Sequence, residues 1–304
     1  MFHVQAASLR FGALPGYAMR VGSGNAISGD TIIEPLPPQQ EIVGDLSCGK
    51  PAVVVVHGGP GAGHECLLAF AALWPQYGLP VVFYDQVGCA ASTHLRQTAG
   101  DEAFWQERLF QDELDNLLDH LELRGGRGGC GGPWLPMDSR AASWRLAMPP
   151  AMRQALEDAL REEEFDSLGY KIGLEHFIRN HVCRADPMPA ELLPAFKHQA
   201  DDNTVYSTMM GHTFLVRRGS LKDWTVVSRL PTITAPALVY NGEHDTSHDV
   251  AQVPFFELIP RARWITIPGG GHMCHAESGG SREMVLKVVG EFLTEERAEN
   301  VASD

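Results

Sequence analysis

Two runs of consecutive β-branched and aromatic residues, PAVVVV at 51–56 and VVFY at 81–84, break an otherwise mixed pattern of apolar and polar positions. Unbroken apolar runs of strand length predict strands buried on both faces, as in a parallel sheet. One runs straight into HGGPG at 57–61, the other into DQVG at 85–88. The period then changes. Phe110, Leu114, Leu117, Leu118 and Leu121 recur at helical spacing, which predicts an amphipathic helix stopping at Gly125-Gly126. The glycine-rich stretch from 125 to 144 reads as loop. Upstream, Gly and Pro punctuate residues 1 to about 50 and predict short edge strands and turns.

From Pro149 to about Trp224 the composition shifts to charged helical segments, which predicts an inserted, mostly helical lid. Strand patterning resumes at ALVY (237–240) and WITI (264–267). A last amphipathic helix carries Val285, Val288, Val289, Phe292 and Leu293 on one face. Strands alternating with helices imply an α/β fold with sites at the C-terminal ends of the strands. The expected organisation is core at 1–137, cap at 138–228 and core again at 229–304.

Charge narrows the partners. Lys and Arg total 24 against 38 for Asp and Glu, a net charge of −14, which repels phosphate backbones and argues against nucleic acid. Six cysteines (Cys48, Cys66, Cys89, Cys130, Cys183 and Cys274) lie without paired spacing, which implies reduced thiols and a cytoplasmic setting. The opening MFHVQAASLRFGALPG has no long apolar core and does not read as a secretory signal. The longest apolar runs are too short to span a membrane. The expected partner is a small molecule or short peptide, with the oligomeric state open.

Three segments carry chemistry. HGGPG after a buried strand suits an oxyanion loop, because glycines let backbone N–H groups approach a substrate closely. On this reading His57 braces the loop, with Gly58, Gly59, Pro60 and Gly61 shaping it. Asp245 follows one predicted strand, and His272 follows the next through a glycine loop. A carboxylate that orients an imidazole base needs that pairing, and the chain order fits a hydrolase triad. The histidines at 244, 248, 272 and 275 match no metal-ligand spacing, so neither metal nor other cofactor is expected.

These segments, with YDQVGCAAS, FIRNHVCR, NTVYSTMMG, GSLKDW, GEHD and GGGHM, resemble prolyl iminopeptidases and their relatives in peptidase family S33. The resemblance spans roughly residues 40–295 and implies an α/β-hydrolase fold, with an eight-stranded, mainly parallel sheet and an inserted helical cap. It implies cleavage of an N-terminal residue or of a small amide, ester or lactone. It assigns Asp245 as triad acid, His272 as base and Asp85-Gln86 as support. Two family features are missing. Glutamates that bind a substrate ammonium are replaced by Thr246 and by Gly211-His212-Thr213-Phe214, and no G-x-S-x-G occurs. Where the nucleophile strand and helix belong, the chain has Gly128-Gly129-Cys130-Gly131-Gly132. Cys130 is the candidate nucleophile by spacing, since a thiol attacks more readily than a hydroxyl. The alternative is a non-catalytic relative that binds a small molecule in a lidded pocket.

Overall fold

In the computed structural model, residues 6–7, 40–123, 129–130 and 148–301 are described. Seven strands form one sheet among them: β1 (Ala6–Ala7), β2 (Gln40–Val43), β3 (Val53–Val56), β4 (Val81–Tyr84), β5 (Gly129–Cys130), β6 (Ala237–Gly242) and β7 (Ala262–Ile267). Their order is β2-β4-β3-β5-β1-β6-β7. β3 runs parallel to β4 and β5, and β6 runs parallel to β7. β2 is antiparallel to β4, and β1 is antiparallel to both β5 and β6.

The unbroken apolar runs are explained by burial on both faces. Val53, Val55, Val81 and Phe83 join one core, and Ala52, Val54, Val82 and Tyr84 join another across the sheet. The first face is covered by a 3₁₀ segment, His64–Ala72, continuing into α1 (Leu73–Tyr77). The C-terminal α8 (Ser281–Val301) adds Val285, Val289 and Phe292 to the same core. The second face is covered by α2 (Glu107–His120) through Leu114, Leu117 and Leu118. Burying such side chains contributes about 1.5–3 kcal/mol each, so these layers fix the sheet's plane.

Between β5 and β6 lies the lid. It comprises α3 (Pro150–Glu162), α4 (Leu168–Phe177), a π turn (Ile178–Val182), α5 (Leu193–Asp201) and α6 (Thr204–Met209). Ser167 caps α4 by accepting the Tyr170 N–H. One more helix, α7 (Asp249–Leu258), follows β6 and packs Phe255 with Val239 and Leu230.

Four expectations change. Helix α2 ends at His120, short of Gly125, because Glu122 turns left-handed (φ 56°) and the Leu123 N–H closes back on the Leu118 carbonyl. The N-terminal segment was expected at the sheet's edge, yet Ala6–Ala7 stands inside it, between β5 and β6. Gly129–Cys130, expected as loop, forms a short strand, with Cys130 opposite Val55 on one side and Ala6 on the other. The eight strands implied by the family resemblance are seven among the described residues. The start of the expected cap, residues 138–147, lies outside them.

Candidate active site

Both chemical loops leave the same end of the sheet. β3 delivers HGGPG, where Gly59 has φ 129° and an added Cβ would sit 2.9 Å from the Ala62 nitrogen. Only glycine tolerates that turn. His57 is buried. Its Nε2 accepts the Gln86 N–H at 2.9 Å, so its Nδ1 carries the proton and donates to the Gly58 carbonyl at 3.0 Å. Burial pushes its pKa below the usual histidine range. The ring is thus a neutral brace with both nitrogens engaged. The support from Gln86 comes through its main chain, a contact side-chain identity cannot announce. Asp85 is fully buried and accepts the His64 N–H at 2.9 Å and the His64 Nδ1 at 2.8 Å. Burial works to raise its carboxyl, but these bonds win and hold it below the usual range.

β6 and β7 deliver the other pair. The His272 Nδ1 lies 2.7 Å from Asp245 Oδ1, with both side chains buried. A carboxylate only accepts, so Nδ1 donates and Nε2 is the basic nitrogen of the neutral ring. Asp245 is itself oriented by the Ser247 N–H at 2.6 Å and the Thr246 hydroxyl at 3.2 Å. Gly242 lets the two loops meet: a Cβ there would come within 2.3 Å of the Gly271 carbonyl oxygen.

The lid fastens the base loop. The His272 and Met273 N–H groups donate to the carbonyls of His181 and Val182, at 2.8 and 2.7 Å, in the π turn. Buried Glu277 accepts the Gly271 N–H at 3.0 Å and the Arg184 N–H at 2.7 Å. Sequence reasoning missed these. Carbonyl contacts leave no trace in residue type, and a single Glu beyond a glycine loop carries no pattern.

A cavity of about 300 Å³ lies between lid and sheet, with His272 and Gly59 both on its wall. That volume suits a small-molecule site. Cys130 is described here only as backbone in β5, between the strands that feed the two loops; its side chain lies outside the described structure. Among the described residues, His64, Glu65 and Asp85 bring metal-capable atoms within 4.8 Å of one another. Their chemistry fits a brace better than a metal site, because His64 Nδ1 donates to Asp85 and Glu65 pairs with His198 at 2.9 Å. His275, one of the four histidines near the base loop, donates Nε2–H to the Cys66 carbonyl, and burial lowers its pKa to about 4.

A buried His–Asp pair and a glycine loop at the C-terminal ends of a mainly parallel sheet, under a helical lid, define an α/β hydrolase. The crystal structure of proline iminopeptidase from Mycobacterium smegmatis matches with a TM-score of 0.75 and 31% identity, covering 87% of this chain and 96% of that one. The crystal structure of VinJ matches at 0.78 and 33%, over 84% and 94% of the two chains. The proline iminopeptidase of Lactiplantibacillus plantarum is 29% identical over 262 residues, 76% of this chain and 89% of the relative. No protein-family model matches the chain. The chain belongs to the proline iminopeptidase family and is a hydrolase of that group. Among the described residues, no helix is long and apolar enough to cross a membrane.

Proposed function

We propose that the protein hydrolyses a small amide, ester or lactone, with His272 as general base, Asp245 as its orienting carboxylate and the N–H groups of Gly58 and Gly59 as oxyanion donors. Cys130 supplies the attacking sulfur. Its thiol proton passes to His272 Nε2 as sulfur bonds to the substrate carbonyl carbon. The carbonyl then reforms, the leaving amine or alcohol takes the proton from His272, and a thioester remains. Water, deprotonated by His272, hydrolyses the thioester and restores the thiol. The relatives' name places peptide bonds among the amides to be tried.

The single observation that carries this reading is the shared cavity: His272 and Gly59 line one space, and the base is backed by a buried carboxylate. The position of β5 beside β3 supports Cys130, since a nucleophile must stand between the two loops. The described cysteines are free thiols, four of them buried, which supports a reducing, cytoplasmic setting. The acidic balance supports a small-molecule or short-peptide partner rather than nucleic acid.

Hydrolysis of p-nitrophenyl esters tests the chemistry. Iodoacetamide is expected to abolish turnover, and Cys130→Ala to match it. Burial pushes the Cys66, Cys89 and Cys274 thiols up, which makes them poor targets. Cys48 is exposed, so Cys48→Ala serves as the control and retains both activity and sensitivity. Full activity in Cys130→Ala removes the thiol from the mechanism.

A further inference from the structure

The cavity's lining says what it can hold. Leu174 and Ile178 wall one side, Phe196 stands on α5, and Met210 and Phe214 close the part beyond α6. The polar lining side chains are hydroxyls, one amide, imidazoles and the Cys66 thiol, and the Tyr170 hydroxyl is already spent within the wall on Thr213, at 3.0 Å. Among the described residues, no Asp, Glu, Lys or Arg lines it.

Three nearby carboxylates are committed elsewhere. Asp245 accepts from His272, Thr246 and Ser247, and Glu277 from Gly271 and Arg184. Asp202 accepts from His94 at 2.6 Å and Arg96 at 3.1 Å. Glu65 pairs with His198 through Oε1 and is not on the wall, although its buried Oε2 has no hydrogen-bond partner among the described residues.

An ammonium drawn into this space loses its hydration and gains no counter-charge from the described wall. An apolar group gains about 25 cal/mol for each Å² removed from water. We infer that the group bound in this cavity is uncharged and apolar, the acyl or cyclic hydrocarbon part of an amide, ester or lactone, and not the N-terminal ammonium of a peptide. The inference rests on the cavity being the substrate site proposed above.

Matched ligands test it on the intact protein by calorimetry at neutral pH. Cyclopentanecarboxamide and prolinamide share ring and amide but differ by a methylene for a charged amine. Hexanamide and 2-aminohexanamide differ by an added α-ammonium. The neutral member of each pair is expected to bind at least about tenfold more tightly, equivalent to about 1.4 kcal/mol. Ile178→Asp, or Leu174→Asp if the first does not fold, puts a carboxylate on the wall and should invert the order. Glu65→Gln should leave the ratio unchanged. Equal or tighter binding of prolinamide overturns the inference, as does no binding of any of the four amides. A Glu65→Gln protein that loses discrimination overturns it too. Because binding needs no bond cleavage, an intact preference without ester turnover sinks the catalytic reading and leaves this one standing.

Discussion

β6 and β7 pair along their whole length, from Ala237 opposite Ala262 to Gly242 opposite Ile267, and β3 and β4 pair throughout as well. The middle of the sheet is built otherwise. There β5 and β1 contribute two residues each, and among the described residues the only registers tying them to the flanks are Val55 opposite Cys130 and Ala7 opposite Ala237. The proposed oxyanion loop grows from one flank, and the proposed acid and base from the other. Each half of the site is therefore held rigidly on its own. Their mutual spacing depends on a thin bridge and on the lid carbonyls that grip the His272 loop. The scaffold keeps its glycine loop and its His–Asp pair at the flanks, while the described centre is two strands of two residues.

The comparison breaks hardest at the flank that carries the base. His272→Ala is expected to lower kcat for p-nitrophenyl esters at least about 10⁴-fold. Turnover within a small factor of the parent would show that the flanks hold no catalytic pair. The bridge comes next. Ala7→Pro removes an N–H from a strand paired on both sides and should cost about 1–3 kcal/mol, read as a lower urea midpoint. An unchanged midpoint would mean the centre contributes little. A third test sharpens the view of the β4 flank. Burial, with a minor push from Asp85, raises the Glu113 carboxyl from 4.5 to about 7, although it accepts the Val87 N–H. The folded protein keeps that proton between the two values, whereas the unfolded chain has released it. Its contribution to stability is therefore full below about 4.5 and lost as pH rises through about 7. Glu113→Gln should flatten the urea midpoint across that window; a profile identical to the parent's would contradict the buried, raised carboxyl.

The flanks were legible in the sequence and the centre was not. Buried parallel strands leave runs such as VVVV and VVFY, and α2 leaves its leucine spacing, because side-chain burial writes itself into residue type. The loops at 57–61, 245 and 272 were readable for the same reason: glycine, Asp and His at strand ends have few substitutes. An Ala-Ala strand and a Gly-Cys strand carry no such mark, since their place is set by main-chain pairing. The grip of His181 and Val182 on the base loop escaped notice on the same ground. The missing ammonium-binding glutamates were visible as Thr246 and Gly211-His212-Thr213-Phe214, but the apolar wall that surrounds His272 needed coordinates.

The insertion of β1 has a consequence for synthesis. Ala7 leaves the ribosome long before its partner Ala237. Until β6 emerges, one edge of β1 has no neighbour and the two flanks cannot be joined. Pairings so distant in sequence form slowly, and an open strand edge invites the wrong partner in the interval. Yield of native protein should thus respond to translation speed and chaperone supply more than its finished fold suggests.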